Sequence, residues 1–177
     1  SMFQYKGTRN YLHGTDFYRH TMELLETQPA GISHISNMTF RHFARHQCTL
    51  TMTTPTSTAA VPCQGEAIQL DGTAIKFYWE ETTTPISSNY PYDEDALVAQ
   101  ATVNADQNAI SLPKPTADYS CIEVIVALTK KLHYIKSAEI NGKWVFGQLN
   151  LLCRLPIQYQ TAEVCLTTFY PGRFSVS

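Results

Sequence analysis

Charge is scarce in this chain. Of its 177 residues 16% are Asp, Glu, Lys or Arg, and the net charge is −2 with histidine neutral. No basic stripe is present to neutralise phosphates, so no nucleic-acid partner is expected. The densest basic stretch, Arg41-His42-Phe43-Ala44-Arg45-His46, is short. Long apolar runs are missing too. The longest, within 122–128, is interrupted by Glu123 and is too short to span a bilayer, so no membrane partner is expected. The polar N-terminus lacks the apolar core of a secretion signal. The five cysteines, at 48, 63, 121, 153 and 165, are odd in number and have no Cys-x-x-Cys spacing. That argues against a disulfide framework and a thiolate zinc site, and predicts reduced, mostly buried thiols in a cytoplasmic protein. There is no Gly-rich phosphate loop, no Gly-x-Ser-x-Gly elbow and no dinucleotide fingerprint, so no cofactor is expected.

Apolar residues make up 44% of the chain, enough for a real core. Two segments read as helices. Over 16–27, Phe17, Tyr18, Thr21, Met22 and Leu25 share one face, and Gln28-Pro29-Ala30-Gly31 stops the run. On that pattern His20 and Glu23 fall on the solvated side. Over 118–135, Ile122, Ile125, Val126, Thr129, Leu132 and Ile135 form a wide stripe that Val124 and Leu128 broaden, so most of this helix should be covered. Lys130, Lys131 and His133 near its end suit the helix dipole, and His133 is expected to be solvated.

The remainder reads as β. Strands are expected near 32–43 and 46–54, where Cys48-Thr49-Leu50-Thr51-Met52-Thr53 alternates apolar with threonine. The runs 65–70 and 73–80 flank Asp71-Gly72, which predicts a hairpin with a type I′ turn. Further strands are expected at 97–103, near 143–153 and at 161–169, with turns at Asn141-Gly142 and Tyr170-Pro171-Gly172-Arg173. Residues 82–95, with two prolines and no period, read as a linker dividing 2–90 from 91–177.

One stretch stands out for chemistry: His13-Gly14-Thr15-Asp16, where the first helix begins. It supports two readings. In one, Gly14 permits the turn, Thr15 or Asp16 caps the helix, and His13 is an ordinary loop residue. In the other, the helix amides face a developing oxyanion or enolate, glycine allows close approach, and the imidazole moves a proton near neutrality. His42-x-x-x-His46 has the spacing of a metal pair but no third ligand nearby, so no metal site is expected. Cys121 at a helix start reads as a small buried hydrophobe. Most of the aromatics, Tyr11, Phe17, Tyr18, Phe40, Phe43, Phe77, Tyr78 and Trp79, belong to the core, with some available to line an acyl channel.

One long apolar helix followed by an antiparallel meander, twice, at an offset of roughly 100–110 residues, resembles the hotdog fold, an α+β fold whose antiparallel sheet wraps a central helix. The double occurrence resembles a tandem (double) hotdog, with one elaborated α+β domain as the alternative. The resemblance is to the acyl-thioester thioesterase and dehydratase branches. It implies a protein of fatty-acid or polyketide metabolism acting on acyl-CoA or acyl-carrier-protein thioesters, by hydrolysis or by dehydration of a 3-hydroxyacyl chain. His13 and Asp16 would be the catalytic groups, and Gly14, Thr15 and Tyr11 would bind substrate. A homodimer or higher homo-oligomer would cover the exposed sheet edges. The alternative function is non-catalytic, binding a lipid-like ligand or a protein partner.

Overall fold

In the computed structural model, residues 2–113, 118–137, 144–169 and 175–176 are described. The elements in chain order are β1 (Tyr5–Lys6), α1 (Gly14–Glu26), β2 (His34–Phe40), β3 (His46–Thr51), β4 (Cys63–Ile68), β5 (Ala74–Pro85), β6 (Asn89–Tyr90) and α2 (Glu94–Val98). They continue with β7 (Thr102–Asn104), β8 (Ala109–Leu112), α3 (Cys121–Lys136), β9 (Gln148–Asn150), β10 (Ala162–Cys165), β11 (Thr168–Phe169) and β12 (Ser175–Val176). The protein is α+β, with mostly antiparallel sheet and few helices. The chain forms two compact units, Ser1–Tyr92 with Phe146–Leu155, and Asp93–Val145 with Pro156–Ser177.

The first unit is built on a five-stranded antiparallel sheet in the order β3-β5-β4-β2-β9. Strand β5 alternates as expected, and its Phe77 and Trp79 are buried with Ile35 and Met38 of β2 and Cys63 and Ala67 of β4. Each large side chain so buried contributes roughly 1.5–3 kcal/mol. Helix α1 meets this sheet through Phe17, whose ring centroid is 5.7 Å from that of Trp79, with Phe3 5.1 Å and 5.0 Å from the two. The indole N–H of Trp79 donates to Thr21 Oγ1 at 2.8 Å, so the polar atom that burial would orphan is paired. Phe17, Tyr18, Thr21, Met22 and Leu25 are all buried, which is the face the periodicity predicts.

His20 is also buried, contrary to the solvated position expected of it. Its ring packs edge-on to Phe3 at 4.4 Å because the chain ahead of the helix folds over that side. Burial, with the nearby Arg19 charge, lowers its pKa below the ordinary value despite Glu23. On unfolding, the ring regains an ordinary pKa of about 6.5 and takes up a proton. Stability is therefore fully present above that pH and declines as pH falls toward the folded-state value. The melting temperature should fall between pH 7.5 and 5, and His20→Gln, which does not titrate, should flatten part of that slope. An unchanged slope in the variant would remove His20 as its source.

The second unit has a three-stranded antiparallel sheet, β10-β8-β7, with α3 packed against it. Val124, Ala127, Leu128 and Leu132 of α3 share a core with Leu97, Ile110, Leu112 and Val164. The expected stripe is thus covered by sheet, though Ile135 at its end is exposed. The Glu123 carboxylate accepts from the Ser120 N–H at 2.8 Å, fixing the start of α3. His133, expected to be solvated, is buried, with Nδ1 2.6 Å from the Thr129 carbonyl and its ring 4.5 Å from that of Trp144.

Three local readings are corrected. Residues 82–95 do join the first unit to the second, whose boundary falls between Tyr92 and Asp93, but the stretch is structured: β5 runs on to Pro85, β6 follows, and Asp93 Oδ1 accepts from Ala96 N at 2.9 Å to cap α2. With Glu94 and Asp95 in its first turn, α2 takes the start of the expected 97–103 strand and leaves only β7. The β4–β5 hairpin is present, but its turn is not type I′. Gly72 has φ +87°, whereas Asp71 is not among the residues with positive φ. Gly72 N bonds Gln69 O at 3.0 Å and Gln69 N bonds Thr73 O at 2.8 Å, giving a three-residue loop closed by a left-handed glycine. The Asp71 side chain accepts from Thr73 N at 2.8 Å, a bond that holds this wider loop. The expected turns at 141–142 and 170–173 lie outside the described residues.

A division at residue 90 would leave 146–155 with the second half. In the fold that segment belongs to the first unit, because β9 pairs with β2 through Asn37↔Asn150 and Thr39↔Gln148. Of the cysteines, Cys63 is buried, Cys48 and Cys121 are half-buried, and Cys153 and Cys165 are exposed, so fewer thiols are buried than expected. No helix among the described residues is long and apolar enough to cross a membrane.

Candidate functional site

Helix α1 begins in extended backbone at His13, with φ −86° and ψ 144°. The capping residue is His13 itself, in place of the expected Thr15 or Asp16: its Nδ1 accepts from Thr15 N at 3.4 Å. Thr15 turns inward and is buried, which brings its Oγ1 to 2.8 Å from the same Nδ1. The Lys6 ammonium donates to Thr15 Oγ1 at 2.7 Å.

Lys6 is fully buried, at 0% exposure. Strand β1 holds it there by pairing in parallel with β6, which places Lys6 opposite Tyr90. The ammonium lies 4.2 Å from the centroid of the Tyr92 ring and 5.8 Å from that of Tyr90, a cation–π arrangement. Asp16, one residue after Thr15, is buried at 3% exposure. Its Oδ1 accepts from the Tyr90 hydroxyl at 2.5 Å and lies 3.7 Å from the Arg19 guanidinium. The entrance of α1 therefore carries a connected polar network of His13, Thr15 and Lys6, with Asp16, Tyr90 and Arg19 beside it. Burying such groups is costly unless they are paired, and sites of this kind concentrate where chemistry is done.

Of the expected site residues, His13, Thr15 and Asp16 come together in this network. Gly14 has another setting. A Cβ there would come within 2.9 Å of Phe146 Cδ1 and 3.1 Å of Phe40 Cζ, so the space the glycine leaves is taken by two rings. Its lack of a side chain serves packing, and approach on that side is closed. Tyr11 turns away to Phe43, with ring centroids 4.4 Å apart, while Leu12 N bonds Ala44 O at 2.9 Å. Glu23 is exposed, as expected. Sequence reasoning missed Lys6, Tyr90 and Tyr92. A lone lysine in a polar N-terminus gives no signal, but two tyrosines inside a supposed linker were a sign of anchoring.

The other candidates do not assemble a site. His42 Nε2 and His46 Nδ1 lie 3.8 Å and 3.0 Å from the two oxygens of Glu81. Burial would raise the Glu81 pKa, but bonds from the Arg45 and His46 amides and the His46 ring outweigh it and leave it lowered. These contacts clasp residues 41–46 to β5. Among the described residues no group of three His, Cys, Asp or Glu is placed to hold a metal ion. Burial pushes the Cys121 thiol up, and with Glu81 it pushes Cys48 up to about 12, so neither is an activated thiolate.

Compared with known proteins, the chain matches no protein-family model, no curated protein and no solved structure.

Proposed function

We propose that this chain is a hotdog-like protein that processes acyl-CoA or acyl-carrier-protein thioesters. The observation that carries the reading is the network of buried Lys6 and Thr15 with half-buried His13, beside Asp16 and Tyr90, at the entrance of a helix packed on an antiparallel sheet. The positive end of the helix and a buried ammonium supply positive potential for a thioester oxygen that gains charge, and the imidazole at the rim supplies a proton. In hydrolysis, water adds to the carbonyl carbon, the C–S bond breaks, and the departing thiol takes up the proton that water loses. In dehydration, a 3-hydroxyacyl chain loses its Cα proton and its hydroxyl leaves as water.

A specific observation favours a second reading. Phe40 and Phe146 fill the side of Gly14 where close approach of a thioester was expected, and a filled entrance suits a non-catalytic domain binding a lipid-like ligand or a protein partner.

A panel of short, long and aromatic acyl-CoAs, with 3-hydroxyacyl and enoyl forms, separates the two. The catalytic reading expects turnover of at least one member, followed by thiol release or by enoyl absorbance. A bound but unreactive acyl chain should still raise the melting temperature, because ligand at 100 times its Kd adds about 2.7 kcal/mol. No turnover of any member would end the catalytic reading. A melting shift without turnover would leave the binding domain in its place.

A further inference from the structure

We propose that Lys6 is a positioning residue: through the Thr15 hydroxyl it holds His13 as the tautomer protonated at Nε2. The use of that tautomer on a thioester rests on the functional reading above, but the tautomer itself follows from donors and acceptors in the fold.

An ammonium has three N–H groups and no lone pair, so at 2.7 Å the Thr15 Oγ1 must accept from Lys6. A hydroxyl carries one proton, and the charge of Lys6 repels it. The His13 Nδ1, 2.8 Å from Oγ1, is placed to receive it. The Thr15 backbone N–H points at the same Nδ1 from 3.4 Å, and an amide N–H can only donate. A nitrogen facing two donors must present its lone pair. The neutral imidazole has a single N–H, which therefore sits on Nε2. The other tautomer would set an N–H on Nδ1 against the amide N–H of Thr15.

Lys6 biases this choice because it occupies one lone pair of Oγ1 and orients the hydroxyl proton. Without it, Oγ1 is open to accept from Nδ1–H. The ammonium is also held over the Tyr92 and Tyr90 rings, and its donation to Thr15 Oγ1 is the contact through which it reaches His13. The consequence for chemistry is direct. At Nε2 the neutral ring offers an N–H and no lone pair, so toward a thioester it is a hydrogen-bond donor to the carbonyl oxygen, an acid only as the imidazolium, and Nε2 is not the general base.

The test is long-range ¹H–¹⁵N correlation NMR of the histidine rings at pH 8, with the His13 signals assigned by their loss in His13→Asn. The wild type should show Nε2 protonated and Nδ1 unprotonated. Lys6→Met, similar in length and apolar, should lose this single tautomer and gain the Nδ1–H form. Lys6→Arg, which restores a cationic donor, should recover the wild-type pattern. A structural role alone would leave the tautomer unmoved. Should Lys6→Met fail to fold, Lys6→Ala removes the same donor with a shorter side chain, leaves the Thr15 hydroxyl in place to accept from Nδ1–H, and should give the same shift. An Nδ1–H tautomer in the wild type, or an unchanged tautomer in folded Lys6→Met or Lys6→Ala, would overturn the inference. Failure of the thioester reading shows differently, as an inert acyl-CoA panel with the tautomer intact.

Discussion

Replacing His13 with Asn should lower turnover of an acyl thioester by roughly 10²-fold, the scale of a positioned acid–base group, while leaving the melting temperature nearly unchanged. The choice of Asn follows from the cap. Because His13 Nδ1 accepts from Thr15 N, His13→Ala removes both the imidazole and the helix cap. It should therefore lose rate and also about 1 kcal/mol of stability, a fall of roughly 2–4 °C in a chain of this size. Asparagine caps as well as any residue, so it separates the two effects. His13→Asn with wild-type turnover would exclude the imidazole from the chemistry and leave it as a cap. Wild-type turnover in both variants, with a lower melting temperature only for Ala, would lead to the same assignment from the other side.

Gly65→Ala should have the largest effect on stability, about 3 kcal/mol or more, as expected when a tightly packed core receives an extra carbon with no room to relax. Gly65 lies on β4, between Met38 of β2 and Phe77 of β5. A Cβ there would stand 2.2 Å from the backbone oxygen of Asn37 and 2.6 Å from Phe77 Cζ. The ring could turn, but the carbonyl belongs to the β2–β4 ladder, which would have to open. Gly72→Ala is the natural control. Nothing lies within 4 Å of a Cβ at Gly72, so its cost is only that of a left-handed backbone at φ +87°, roughly 1–2 kcal/mol. Denaturant unfolding of the two variants measures the difference. Equal and small losses would show that β2 and β4 do not pair in this register.

What the sequence made legible is what repeats over a few residues. The buried face of α1, the β4–β5 hairpin and the covered stripe of α3 all follow from short periods that a single segment contains. The network at the helix entrance does not. Lys6 meets Tyr90 from far along the chain, through a two-residue strand too short to have a period. His20 and His133 were misplaced because an imidazole suits water and core alike, and only tertiary packing decides between them. The short α2 hid in an acidic stretch, where the same residues serve a loop or a helix start. The Asp71-Gly72 pair fixed the place of a turn, but its type depended on the Asp71 bond to Thr73, which a dipeptide does not specify.

The pairing of β9 with β2 has a consequence for how the protein is made. The first sheet is left with β2 as a bare edge until residues 148–150 have been synthesised, although its other four strands end at Pro85. A chain emerging from the ribosome at roughly 5–20 residues per second thus carries an unfinished sheet for several seconds while the intervening segment is added. During that interval the N–H and C=O groups along β2 can template another strand. Separate expression of the first 92 residues would make that transient edge permanent.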